Sequence, residues 1–172
     1  MIRIGLLSDT HGHFPTSVFK YFEECDEIWH AGDIGSLNVL HSLQKFRPTR
    51  AVFGNIDGNA IRQETAENLI FTLEGIKVLI THIGGYPGRY APEARKIIDH
   101  EKPGLFICGH SHILKVMPDP LRPGLLHMNP GAAGIHGFHK TLTILRFSID
   151  SGKITNLQAI ELGERGKMDG IE

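Results

Sequence analysis

Five polar clusters in this chain carry groups able to bind a cation or move a proton: Asp9-Thr10-His11, Gly32-Asp33, Gly54-Asn55-Ile56-Asp57, His82 and Gly109-His110-Ser111-His112. Carboxylate, imidazole and amide oxygen without thiolate suit hard or borderline divalent ions such as manganese, iron, zinc, nickel or cobalt. Asp9, Asp33, Asn55, His11, His82, His110 and His112 make seven such donors. A zinc site takes about four protein ligands or fewer, so the set exceeds one ion, whereas two ions sharing a bridging carboxylate use it naturally. The two aspartates offset only part of the roughly four positive charges on two dications, leaving a centre that attracts a phosphate and a hydroxide. Gly32, Gly54 and Gly109 each directly precede a donor, where a tight turn or a close approach to an ion excludes a side chain.

The elements that must position these groups are readable as apolar runs of strand length, each stopping at a cluster: Ile2 to Leu7, Glu27 to Ala31, Arg50 to Phe53, Lys77 to Thr81 and Leu105 to Cys108. Between the first of them lie helical patterns at 17–24 and 37–46, with Val18, Tyr21 and Phe22, then Leu37, Leu40 and Leu43, recurring at helical spacing. Asp33 or Ser36 is placed to cap the second. Strands alternating with short helices predict βαβ units and a largely parallel first half. Ligands of such sheets bind outside the carboxyl ends of the strands, so the clusters are expected to converge on one edge.

From Leu69 onward strands dominate. A hairpin is expected to turn at Glu74-Gly75, one helix to run from Ala91 to Glu101, and strands to occupy GLLHMN, TLTILRFSID and KITNLQAIEL, the last two joined at Asp150-Ser151-Gly152. The expectation is an α/β chain of α+β character with two mixed sheets and helices outside. It forms a single domain over residues 1–162, followed by a polar, Gly-rich tail at 163–172 that should fray.

Bulk properties narrow the classes. A formal net charge of -1 excludes a general binder of the phosphate backbone and argues against long nucleic acid as substrate. No basic leader and no long apolar stretch follows Met1, so neither a signal peptide nor a membrane partner is expected. Cys25 and Cys108 lie far apart and form no C-x-x-C pair, which suits a reducing, cytoplasmic location. A homodimer is left open. The 11 histidines are roughly three times ordinary usage, which directs attention to where they sit.

The order D-x-H, G-D, G-N-x-D, H, G-H-x-H, from Asp9 to His112, resembles the signature of calcineurin-like metallophosphoesterases. The SDTHG opening, the short length and the MNPGAAG segment at 128–134 are similar to the YfcE-type phosphodiesterase branch, which is related to a retromer scaffold subunit. The resemblance implies a four-layer αββα sandwich. It implies that Asp9, His11 and His112 bind a first metal, that Asp33 bridges, and that Asn55, His82 and His110 bind a second. It implies two divalent ions, manganese foremost with iron, zinc, nickel or cobalt as alternatives. Its mechanism is in-line attack on phosphorus by a metal-bridging hydroxide, which needs no protein nucleophile. A small phosphodiester is the implied substrate, with Asn55 free to turn its amide N–H toward a phosphate oxygen.

One departure bears on chemistry. Many phosphomonoesterases of the superfamily read G-N-H-D or G-N-H-E, and that His is proposed to protonate the leaving group. Ile56 stands there and cannot donate a proton, so no general acid is assigned. His13, Arg89 and His136 are carried as candidate substrate contacts, Arg89 on the Gly-, Pro- and Tyr-rich loop at 81–90. His30, His41 and His100 are read as structural or surface residues, His127 and His139 as non-catalytic. The alternatives are a phosphomonoesterase or nuclease using the same site, or a non-catalytic interaction scaffold like the retromer subunit, whose mark would be lost ligands.

Overall fold

A computed structural model describes residues 1–166 and the backbone of 170–171. In chain order its elements are β1 (Ile2–Leu7), β2 (Phe14–Pro15), α1 (Ser17–Tyr21), β3 (Glu27–His30), α2 (Leu37–Phe46), β4 (Thr49–Ala51), α3 (Asn59–Glu64), β5 (Asn68–Leu73) and β6 (Ile76–Thr81). There follow β7 (Gly85–Tyr86), β8 (Arg89–Tyr90), α4 (Pro92–Glu101), β9 (Leu105–Ile107), β10 (Leu114–Pro118), β11 (Leu126–Pro130), β12 (Thr141–Asp150), β13 (Lys153–Glu164) and β14 (Gly170–Ile171).

Two five-stranded sheets form, in the orders β13-β12-β1-β3-β4 and β10-β11-β9-β6-β5. Both are mixed. β1, β3 and β4 run parallel while β12 and β13 join antiparallel, and β6, β9 and β11 run parallel between antiparallel β5 and β10. Because side chains alternate along a strand, each central strand feeds two different cores. Ile4 and Leu6 of β1, Trp29 of β3, Val78 and Ile80 of β6, and Leu105 and Ile107 of β9 meet between the sheets. The alternate residues Leu7 and Ile28 face α1 and α2, and Leu79 and Phe106 face α4. The result is the expected αββα sandwich. Trp29 ties its centre, edge-on to Phe71 at 5.3 Å and to Phe147 at 5.8 Å.

α2 begins where Ser36 accepts the Val39 N–H at 3.3 Å, so Ser36 rather than Asp33 is the cap. α1 stops at Tyr21, short of Glu24, because the chain turns back for Asp26 to donate its N–H to the Arg3 carbonyl beside β1. Gly5 lets α1 lie that close, since a Cβ there would enter the Phe22 ring. The Glu74-Gly75 and Ser151-Gly152 hairpins form, both with left-handed backbone. α3, with one buried residue, and the edge strand β10 carry no usable periodicity and were not expected.

β13 continues to Glu164, and Gly170–Ile171 pairs with β2, so the chain past 162 does not leave the body at once. The remainder of the segment expected to fray, residues 167–169 and 172, lies outside the described residues. No helix among the described residues is long and apolar enough to cross a membrane.

Candidate metal centre

The loops after β1, β3, β4, β6 and β9 meet at one edge, as the positions of the clusters predict, and their backbones interlock. The N–H groups of Asp9, His11 and Gly12 donate to the carbonyls of Gly32, Asp33 and Ile34 at 3.0, 2.9 and 2.8 Å. Asp57 clamps the third loop onto the second. Its buried carboxylate accepts from the N–H of Ile34, Gly35 and Gly54 at 3.0, 2.8 and 2.8 Å. A Cβ at Gly54 would strike Asp33, and one at Gly109 would strike Ser8 and Asp9, so the glycines serve contact between loops.

Among the described non-glycine residues nine have positive φ, and five of these are Asp9, His11, Asp33, His110 and His112. Left-handed backbone costs such residues of order 1–3 kcal/mol each, and the interlocked loops hold them there. The other four serve local turns, a helix end and a strand irregularity.

Six of the side chains fall into two groups whose donor atoms lie within 4.8 Å of one another: Asp9, His11 and His112, and Asp33, His82 and His110. The groups meet on Asp33. Its Oδ2 lies 3.3 Å from His11 Nε2 and 3.2 Å from His82 Nε2, while Asp9 Oδ1 lies 3.2 Å from His112 Nε2. Asn55, the seventh predicted donor, joins the second group with Oδ1 3.0 Å from His110 Nδ1.

The second oxygen of each aspartate is already taken. Ser8 O–H donates to Asp9 Oδ2 at 2.6 Å and His110 N–H donates to it at 3.1 Å, while Ile56 N–H donates to Asp33 Oδ1 at 3.1 Å. Each carboxylate therefore turns one committed oxygen to the protein and one open oxygen to the space between the groups. His82 is set the same way, with Nδ1–H donating to the Ala31 carbonyl at 2.8 Å and Nε2 left as a lone pair.

Whether these residues suit a cation is answered by what they lack. Asp9 Oδ1, His11 Nε2 and His82 Nε2 are buried without a hydrogen-bond partner, and all three face the same space. Asp9 and Asp33 are 0% and 3% exposed, and among the described residues they pair only with histidines. Buried carboxylates need positive charge. Burial alone would raise the Asp33 carboxyl, but His11 and His82 beside it hold it well below the usual carboxylate range. Burial pushes the His82 imidazole down, and Asp33 and Asp9 together lift it above its ordinary value. The site draws cations to itself, and the donor set fits divalent ions.

Two further histidines support the candidate ligands and were not legible as such. His139 Nε2–H donates to the Gly134 carbonyl at 2.7 Å, so its Nδ1 is the acceptor for His112 Nδ1–H at 3.2 Å. That leaves His112 Nε2 bare toward Asp9. His30 is fully buried beneath the loops. Its Nδ1 accepts the Gly32 N–H at 3.1 Å and its Nε2–H meets Thr10 Oγ at 3.0 Å, while Thr10 O–H donates to the Ile34 carbonyl at 2.8 Å. Burial holds His30 neutral, its pKa lowered to about 4. The sequence reading of His30 as structural agrees with this, and only the packing shows which loops it joins.

Of the candidate substrate contacts, His136 stacks on the His11 ring at 4.7 Å between centroids, and His13 lies on the same loop as His11 with Nε2 buried and unpartnered. Arg89 sits exposed on the β7–β8 hairpin and does not line the cleft that opens beside Asn55 and His82. Ile56 is 47% exposed, with no proton to offer. The cleft, about 620 Å³, runs from Asn55 and His82 between α3 and the start of α4.

The profile of the calcineurin-like phosphoesterase superfamily domain matches residues 2–152. A probable metallophosphoesterase of Methanothermobacter thermautotrophicus is 29% identical over 136 residues, covering 75% of this chain and 76% of that protein. A phosphodiesterase of Methanocaldococcus jannaschii is 26% identical over 148 residues, covering 76% and 83%. Among solved structures, a single mutant of Vps29 from Entamoeba histolytica superposes with a TM-score of 0.73 at 14% identity, covering 94% of this chain and all of that one, a likeness of fold alone.

Proposed function

This chain belongs to the calcineurin-like phosphoesterase superfamily, and from that premise we propose that it is a divalent-metal-dependent phosphodiesterase acting on small phosphodiesters. The observation that carries the reading is the meeting of the two donor groups on Asp33 Oδ2, with open lone pairs on both sides of it. Asp9, His11 and His112 are assigned to one ion, Asn55, His82 and His110 to the other, and Asp33 to both. Manganese is the first choice of metal, given the hard oxygens beside imidazole.

A pair of bound dications supplies an acidified water and neutralises charge on phosphoryl oxygens. The chain's residues do the rest. The interlocked loops fix the donors before substrate arrives, so little reorganisation is left for the reaction. Asn55 directs its carbonyl oxygen at His110 and keeps an amide N–H to donate to a phosphoryl oxygen. Ile56 leaves the departing oxygen without the His found in many monoesterases, which favours leaving groups that need little protonation. The related phosphodiesterase of Methanocaldococcus jannaschii supports the diester over the monoester. The retention of all seven donor groups weighs against the scaffold alternative, whose mark would be lost ligands. Cys25 and Cys108 are both free and buried, in keeping with a reducing cytoplasmic setting.

The test is hydrolysis of an aryl phosphodiester beside the matching monoester by metal-stripped protein resupplied with manganese, with Asp33→Ala as control. Manganese-dependent turnover favouring the diester and lost in the control is expected. No turnover of either ester with any first-row divalent metal sinks the reading.

A further inference from the structure

The cleft beside the second donor group has a chemistry of its own. Its walls include Phe53, Arg62, Ile83, Ala91, Pro92 and Ile97, mostly apolar surface around about 620 Å³, enough for a ring system. Arg62, the cation among the lining residues, is already engaged. Its guanidinium lies 4.3 Å over the Phe53 ring, its Nε–H donates to the Asp57 carbonyl at 2.6 Å, and Nη2 reaches the Gly54 carbonyl at 3.4 Å. These contacts hold its plane flat against Phe53, while its positive charge, met among the described residues only by carbonyls, remains in the wall.

The other charges in the cleft are Glu67 and Glu93. Glu93 occupies the first turn of α4, where it meets the positive end of the helix, so this helix start is not left to attract an anion. Glu93 is paired with Lys96 at 2.9 Å, so the charges along the cleft wall, Arg62 against Glu67, are close to balanced and the apolar surface sets its character. Ile83 follows His82 directly and is 46% exposed at the mouth, which places an uncovered aliphatic side chain between the donor group and the cleft.

We propose that the cleft receives the retained substituent of the phosphodiester, and that this substituent is a flat, apolar group such as an aryl ring. The inference rests on the phosphodiesterase reading and deepens it. The phosphate lies over the donor groups, and the second ester arm runs past Ile83 toward Ile97.

The test varies only the retained arm. Para-nitrophenyl diesters carrying methyl or phenyl as the second group share a leaving group, so their kcat/KM values with manganese-loaded protein compare the arms. The phenyl ester is expected to exceed the methyl ester by about tenfold, chiefly through KM. Ile83→Ala should shrink the phenyl advantage. Equal kcat/KM across the series, with good turnover, overturns the cleft assignment and leaves the phosphodiesterase reading intact. Should no ester turn over, the activity reading fails, and the cleft is judged by binding. Phenylphosphonate, which has no ester bond, must then shift the methyl resonances of Ile83 and Ile97 more than methylphosphonate does, and identical responses overturn the proposal.

Discussion

The two donor groups of the candidate metal centre share carboxylate and imidazole, the second adding the Asn55 amide, and are walled in different ways. Asp9, His11 and His112 have a second layer of imidazoles behind them, His136 stacked on His11 and His139 bonded to His112. Asp33, His82, His110 and Asn55 look toward the cleft, with His110 and Asn55 exposed. A supported half is suited to keeping its ion, and an open half to admitting another molecule. The difference teaches that donor identity alone does not describe such a site. On the proposed reading, what stands behind each donor sets which group holds an ion and which receives another molecule.

The comparison breaks most sharply at Asp33, the residue both halves share. Asp33→Ala should lower kcat by about 1,000-fold or more, and elemental analysis should show metal lost from both halves together. Loss from one half alone would mean that the halves are independent.

Acid provides a control from outside both halves. Burial, with Lys115 nearby, lowers the His127 imidazole to about 4, and neither ring nitrogen has a partner. Between that value and about 6.5 the unfolded chain binds a proton that the folded chain refuses, so stability present above 6.5 is lost as pH falls toward 4. The loss is ~3 kcal/mol for this residue. His30 is shifted in the same direction by burial. Denaturant titrations from pH 7 to 4 should therefore show falling stability, and His127→Leu should flatten part of that slope without altering metal stoichiometry.

His139→Phe sharpens the contrast directly. With no acceptor for His112 Nδ1–H, metal affinity should weaken by about 10- to 100-fold at one site only, seen calorimetrically as one of two binding steps moving. His139→Gln can still donate to Gly134 and accept from His112, and should restore most of the affinity. Equal weakening of both steps would erase the distinction between the halves. The smallest effect belongs to Ser36→Ala, which removes the α2 cap at a cost of about 1 kcal/mol and should leave both binding steps unmoved.

How much of this was legible in the sequence depends on the range of the interactions. The seven donors could be read because each follows a strand and several follow a glycine, a local pattern that survives translation into one dimension. β1, β12 and α2 have the bounds their periodicity predicts, and Ser36 caps where a serine before an apolar helix should. Asp57 stood inside a recognised cluster, yet its clamp on Ile34 and Gly35 is a contact across 23 and 22 positions that no spacing rule announces. His139 and His30 were illegible for the same reason. Their roles consist of a proton placed on one ring nitrogen, fixed by a carbonyl or an amide that the fold brings alongside.

The hydrogen bond from His110 N–H to Asp9 Oδ2 joins residues 101 positions apart. Such a pairing closes late when a chain folds, because the intervening segments must already be in place. A molecule with one sheet formed and the other not has donors but no centre. On the proposed reading, ion capture would mark the docking of the two sheets, and a metal indicator mixed with refolding protein should record only chains in which both have docked.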